Sequence, residues 1–249
     1  MTQWFDRGDG VRLAYEFREG CGPVLVFLPG YRSDRLGGKA VALDEWCARQ
    51  GRAMLRLDYA GHGASEGIFE DGTIGGWTAD AAAVIEAVVL GDLVLVGSSM
   101  GGWIALLLAG RLAGRLGARV KGVVLIAPAP DFSEELMWAG FSGEEKRAMM
   151  EEGGVRMPNP YGEDYVVSRG FIEDGRRHLV MGARIAIGAP VRLMHGQRDD
   201  SVPWQTSLRI MELLDSDDVR VTLIKDGDHR LSRPGDIGVL LGFFGEDGL

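Results

Sequence analysis

Thiols are scarce: Cys21 and Cys47 are the two cysteines in 249 residues. Two thiols cannot bind a metal cluster alone and make no disulfide framework. Both are therefore expected as buried or half-buried side chains in a reducing compartment. Long apolar runs are missing too. No stretch of about 18 uninterrupted apolar residues occurs, so no membrane-spanning segment is expected. The opening residues Met1 to Asp6 carry no basic segment followed by an apolar core, so no secretory signal is read there and a cytoplasmic protein is expected. Positive charge is in deficit. Lys plus Arg number 27 and Asp plus Glu 36, a net charge of −9. Such a chain repels phosphate backbones and anionic lipid, which argues against a nucleic-acid partner. The metal and nucleotide motifs are also lacking: no H-E-x-x-H, no EF-hand loop, no intact G-x-G-x-x-G. No metal and no cofactor are expected. Glycine is plentiful, at 38 residues, but it follows no period, which excludes collagen-like and linker arrays.

What is present is alternation. Residues 11–18 read as a half-exposed strand, and Asp9-Gly10 before them as the turn of a hairpin with residues 3–6. Residues 23–28, 53–58, 93–97, 120–126, 190–195 and 219–224 are short apolar runs of the kind buried on both faces of a sheet. Helical spacing of apolar residues marks 38–50, 74–89, 100–113, 204–214 and about 234–244. Strands alternating with helices imply a mostly parallel, doubly wound α/β sheet with an antiparallel N-terminal hairpin. Residues 1–249 are read as one domain. About 131–188 is too long for a simple crossover and reads as a cap over the sheet edge. Within it, Met137, Trp138, Phe141, Met149 and Met150 fall in one helical stretch and alternate with charged residues, as in an amphipathic lid with its apolar side inward. Tyr161, Tyr165 and Phe171 add to its apolar content.

Gly97-Ser98-Ser99-Met100-Gly101 follows the strand at 93–96 and precedes a helix. A strand–turn–helix setting is what a G-x-S-x-G nucleophile turn requires, and it singles out Ser99. A serine hydroxyl needs a base at neutral pH. Of four histidines, His229 lies in a polar loop beyond the last strand and fits best. His195 reads as a turn residue, His62 as part of the site floor and His178 as solvent-facing. The base needs a carboxylate to hold its tautomer. Asp199, in the loop after strand 190–195, is the candidate, with Asp200 and Asp131 as alternatives. The backbone N–H groups of Tyr31, after strand 23–28, and Met100 are placed as oxyanion donors. The stretch Arg32 to Lys39 invites a phosphate-loop reading but fails it, since Ser33 and Ala40 stand at key motif positions.

These pieces recur in order along the chain: Leu28-Pro29-Gly30-Tyr31, Asp58-Tyr59-Ala60-Gly61-His62-Gly63, the Ser99 turn, His195-Gly196-Gln197-Arg198-Asp199-Asp200, and Asp228-His229-Arg230. The chain resembles the α/β-hydrolases from end to end, and within them the acyl-protein thioesterase branch of α/β-hydrolase domain-containing 10 with its bacterial relatives. The resemblance implies Ser99, Asp199 and His229 as triad, Tyr31 and Met100 as oxyanion donors, and no cofactor. It also implies hydrolysis of esters or thioesters through an acyl-serine, with a small acyl ester, a thioester or an S-acylated protein as substrate. Trp138 and Met149 are the expected acyl-binding residues of the cap. Alternatives are a short-chain carboxylesterase, a peptidase or C–C-bond hydrolase with the same triad, and a non-catalytic binding protein of this fold.

Overall fold

The computed structural model describes residues 1–110, 114–158, 164–245 and 249. Strands β1 (Gln3–Asp6) and β2 (Arg12–Arg18) form the opening hairpin. Then follow β3 (Cys21–Leu28), α1 (Gly38–Gln50), β4 (Arg52–Leu57), α2 (Ile74–Val88), β5 (Leu93–Ser98), α3 (Met100–Ala109) and α4 (Gly114–Gly117). The chain continues through β6 (Val120–Ile126), a π-helical segment at Ser133–Trp138, α5 (Gly143–Glu151), β7 (Gly154–Met157), β8 (Tyr165–Ser168) and α6 (Arg169–Arg177). It closes with β9 (Val191–Gly196), α7 (Gln205–Leu213), β10 (Val219–Ile224) and α8 (Pro234–Gly242).

Eight strands make one sheet in the order β1-β2-β4-β3-β5-β6-β9-β10. β1 pairs antiparallel with β2, and β2 with β4. From β4 to β10 every neighbouring pair is parallel. Alternation along β3 explains the burial. Val24, Val26 and Leu28 join the core on one face with Trp77, Ile85 and Trp103 of α2 and α3. Leu25 and Phe27 join the other with Leu43 and Cys47 of α1 and Leu240 of α8. Covering both faces is what lets the central strands be apolar throughout.

Register decides where the chemistry lies. Leu28 pairs with Gly97, Ser98 with Ile126, Ile126 with Met194, and Gly196 with Ile224. The C-terminal ends of five neighbouring strands are thereby aligned, and the loops that leave them share one edge.

Several expectations need correction. The stretch 137–150 is not one helix: it breaks at Phe141, and α5 starts afresh where Ser142 and Glu145 form a reciprocal capping box. Met149 is buried but its neighbour Met150 is half exposed, so the apolar side is narrower than the composition implies. Between α5 and α6 the segment contains an antiparallel pair, β7 with β8. Helix α3 is described to Ala109, and residues 111–113 and Tyr161 lie outside the described residues. Cys21 is exposed, at the start of a strand, while Cys47 is buried. His178 is half-buried rather than solvent-facing, wedged against Gly75 of α2. Among the described residues no helix is long and apolar enough to cross a membrane.

Candidate active site

Ser99 sits at φ 54° and ψ −118°, a left-handed conformation that is costly for a residue with a side chain. The neighbouring glycines make the turn feasible. A Cβ on Gly97 would lie 2.2 Å from the Gly101 carbonyl oxygen, and one on Gly101 would lie 2.0 Å from that of Leu28. The turn thus packs between its own helix and the end of β3. Gly30 plays the matching part from the β3 side, where a Cβ would come within 3.3 Å of the Ser99 Cβ. Met100 opens α3, so its N–H belongs to a helix N-terminus. Tyr31, one residue beyond Gly30, lines the same cavity as Ser99 and His229.

The three triad candidates meet. Ser99 Oγ lies 3.0 Å from His229 Nε2, and His229 Nδ1 lies 2.7 Å from Asp199 Oδ2. With Nδ1–H donating to the carboxylate, Nε2 is left to accept the serine proton. Asp199 is held by four donors: the N–H groups of Ser201 and Val202 on Oδ1, and His229 and His195 on Oδ2. Burial pushes its carboxyl upward, but the bonds from His195, His229 and Val202 outweigh burial and hold it well below the usual carboxylate range.

The alternatives lie elsewhere. Asp200 is exposed and accepts only the Ser201 hydroxyl among the described residues. Asp131 is buried and accepts the N–H groups of Val180 and Met181, anchoring the far end of the inserted segment. Burial shifts its carboxyl upward despite those bonds.

Two histidines do more than the sequence disclosed. His195 is fully buried; its Nε2 lies 3.1 Å from Asp199 Oδ2 and its Nδ1 2.8 Å from Ser207 Oγ. It is a turn residue that also props the Asp199 carboxylate. The only sequence signal was its i, i+4 spacing from Asp199. His62 donates from Nδ1 to the Ala60 carbonyl and accepts the Arg32 N–H at Nε2. It is packed among Tyr59, Phe69 and Trp77, and burial pushes it down to about 4. A neutral imidazole thus ties the Tyr31–Arg32 turn to the loop after β4. Asp58 reinforces that tie by accepting the Arg35 N–H and its guanidinium.

The cavity holding Ser99 has a volume of about 320 Å³ and is lined on one side by Arg32, Ser33, Lys39, Arg230 and Ser232. Behind this lining, the Tyr31 ring packs against Phe69, Trp77, Phe132, Tyr165 and Phe171 at centroid distances of 4.9–6.0 Å. Neither Trp138 nor Met149 is among the described residues lining this cavity. Met149 is buried in the core. The half-buried Trp138 ring lies beneath Arg176 and Lys146. Among the described residues no group of three or more His, Cys, Asp or Glu side chains is arranged to hold a metal.

Comparison with known proteins agrees with this architecture. The family model described as serine aminopeptidase, S33, matches residues 24–157. The human mitochondrial palmitoyl-protein thioesterase ABHD10 is 35% identical over 240 residues, covering 96% of this chain and 77% of that protein. The solved mouse α/β-hydrolase domain-containing protein 10 is 33% identical, with a TM-score of 0.88 over 98% of this chain and 96% of that one. A chain from Agrobacterium vitis S4, named only as a hydrolase, is 40% identical with a TM-score of 0.90, over 97% and 96%.

Proposed function

We propose, for a chain that belongs to the ABHD10 branch of the α/β-hydrolases and is thereby a serine hydrolase of esters or thioesters, that Ser99 is its nucleophile, His229 its base and Asp199 its acid. His229 Nε2 takes the Ser99 proton as Oγ attacks the acyl carbonyl. The N–H groups of Tyr31 and Met100 hold the oxyanion. Collapse expels the thiolate or alcohol, with His229 returning its proton where the leaving group needs it. Water, deprotonated by the same imidazole, then releases the acid from the acyl-serine. Asp199 stays ionised and stabilises the imidazolium formed in each half-reaction.

The observation that carries this reading is the hydrogen-bonded line from Ser99 through His229 to Asp199, at 3.0 and 2.7 Å. Fluorophosphonate labelling together with turnover of p-nitrophenyl acetate and butyrate tests it. Ser99→Ala is expected to abolish labelling and lower kcat by about 10⁴-fold or more, whereas Ser98→Ala keeps both. Labelling that survives Ser99→Ala and vanishes in Ser98→Ala assigns the wrong serine.

Residues 1–249 are read as one domain in which about 131–188 forms the cap. The ring contacts of Phe132, Tyr165 and Phe171 with Tyr31 support that reading. The name of the ABHD10 relatives makes an S-acylated protein a candidate substrate. The cavity, at about 320 Å³ and lined largely by polar and charged residues, favours a short acyl group instead. A thioester and oxyester panel of increasing chain length separates the two. The relatives are named mitochondrial, against the cytoplasmic location expected from the sequence; cell fractionation tests which applies to this chain.

A further inference from the structure

The two carboxylate oxygens of Asp199 face different partners. Oδ1 accepts backbone N–H groups, from Ser201 at 2.9 Å and Val202 at 2.8 Å. Oδ2 faces two imidazoles, His229 Nδ1 at 2.7 Å and His195 Nε2 at 3.1 Å. The proton of the second imidazole is fixed by its surroundings. His195 Nε2 also lies 3.2 Å from the Val202 carbonyl oxygen, so it faces an ionised carboxylate and a carbonyl, both of which only accept. Nε2 therefore carries a hydrogen, and in the neutral ring Nδ1 is bare and needs a donor. Ser207 Oγ lies 2.8 Å from Nδ1, and its hydroxyl is that donor. Packing alone does not explain a serine there. Ser207 stands in the first turn of α7, three residues before Ile210, and both side chains are fully buried. Ile210 belongs to the apolar core, and a helix face of that kind takes an apolar side chain at such a position. A hydroxyl buried there without a partner would be costly. Among the described residues, its bond to His195 is the one hydrogen bond that side chain makes.

We propose that Ser207 is a positioning residue for the triad, acting through His195: its hydroxyl pins the far side of the His195 ring, so that Nε2–H points at Asp199 Oδ2 and holds that oxygen towards His229. This rests on the reading of Ser99, His229 and Asp199 as the triad and extends their line by two members. From Ser207 through His195, Asp199 and His229 to Ser99 the successive distances are 2.8, 3.1, 2.7 and 3.0 Å. Each bond in such a chain polarises the next. The line also ties α7 to the end of β9 and to the loop that carries His229, so the carboxylate is located from two directions. The neutral state of His195 matters to the chemistry. A cation at that position would answer the Asp199 charge on which the His229 imidazolium depends, whereas a neutral N–H orients the carboxylate and leaves its charge in place. Neither Ser207 nor His195 lines the cavity that holds Ser99, so their influence on turnover passes through Asp199.

Heteronuclear NMR of isotope-labelled histidines reads the ring directly. At about pH 8 His195 is expected to be neutral with its proton on Nε2; a proton on Nδ1 overturns the proposal. Kinetics with p-nitrophenyl acetate and butyrate read the consequence. Ser207→Ala is expected to lower kcat about fivefold for both esters at unchanged KM. Ser207→Cys keeps the volume but donates weakly, and its kcat should fall between those of the parent and Ser207→Ala. The double variant Ser207→Ala with His195→Gln should be no slower than His195→Gln alone, because one residue acts through the other. A kcat for Ser207→Ala within about twofold of the parent overturns the proposal, whether or not the melting temperature falls. So does a further loss of about fivefold on top of His195→Gln, which would make the hydroxyl independent of the imidazole. Ser99→Ala separates the two levels. If it abolishes turnover while Ser207→Ala leaves kcat intact, only the positioning role fails. If turnover survives it, the nucleophile assignment fails as well.

Discussion

Two regions meet at the C-terminal edge of the sheet, and they are held by different forces. The loops after β3, β5, β9 and β10 are fixed by directed bonds. Asp199 has four donors, and Asp58 and His62 pin the Tyr31–Arg32 turn. The segment between β6 and β9 is held mostly by volume and by surface charge, beside a few anchoring bonds such as those of Asp131. Phe141, Met149, Val155 and Phe171 are buried, and Glu134–Arg176 and Glu135–Arg209 clamp it from outside. Directed bonds fix atoms to tenths of an ångström, which a proton transfer needs. Apolar packing fixes only a shape, which a wall needs. Substitutions in the first region should therefore change rate more than stability, and substitutions in the second the reverse.

The sharpest break of that comparison is Asp199→Asn. An amide still fills the space and accepts the backbone bonds, but it no longer secures the His229 tautomer. A fall in kcat/KM of roughly 10²–10⁴-fold with little change in melting temperature is expected. Asp200→Asn should cost less than about threefold, since its carboxylate is exposed and touches no histidine. Asp131→Asn belongs to the second region and should appear as lost stability. Equal rate losses in the three variants would erase the distinction.

His62 tests whether a directed bond in the first region also carries stability. Its folded value is about 4 against an ordinary 6.5. Between those values the unfolded chain takes up a proton that the folded one resists. This contribution is therefore complete above about pH 6.5 and is lost as pH falls towards 4, by at most roughly 3 kcal/mol. Thermal unfolding from pH 7.5 to 4.5 should show a steeper decline in the parent than in His62→Asn, which has nothing to protonate there. Parallel declines would mean that other groups cause the acid sensitivity.

A smaller effect is expected at His195. Its Nε2–H is one of two donors on Asp199 Oδ2, and the longer one at 3.1 Å. His195→Gln should lower kcat by about tenfold without raising KM, since it touches the acid and no substrate. A change in KM alone would place it with the substrate wall.

The sequence made the first region legible because its constraints are local. A nucleophile turn needs Gly97 and Gly101 at fixed offsets from Ser99, and the strands that carry the loops are continuous apolar runs such as Leu93 to Val96. The partnership of His195 with Asp199 was missed because the same His-Gly pair also ends a strand in an ordinary turn. The second region was legible as a length anomaly and little else. Its break at Phe141 depends on Ser142 capping a new helix. β7 and β8 are four residues each, too short for alternation to distinguish them from loop. Which of two adjacent methionines is buried depends on packing against distant residues, and no spacing rule separates Met149 from Met150.

Trp138 offers the smallest effect and the finest discrimination. A tryptophan in a cap invites assignment to acyl binding. Here the ring instead lies 4.6 Å from the Arg176 guanidinium carbon and 5.4 Å from Lys146 Nζ, with Phe141 at its edge. These contacts bind the inserted segment to itself and leave the ring away from the Ser99 cavity. Trp138→Gln should therefore remove about 1 kcal/mol of surface packing, a drop of roughly 2–4 °C in melting temperature for a chain of this size. The ratio of kcat/KM between acetyl and octanoyl esters should move by less than about twofold. Met149→Ala, made in the same core but without an exposed face, should cost about 2–5 kcal/mol and leave that ratio equally flat. A selective loss on octanoyl esters in Trp138→Gln, at unchanged acetyl turnover, would put the indole in the path of the acyl chain and make the inserted segment a selector rather than a wall.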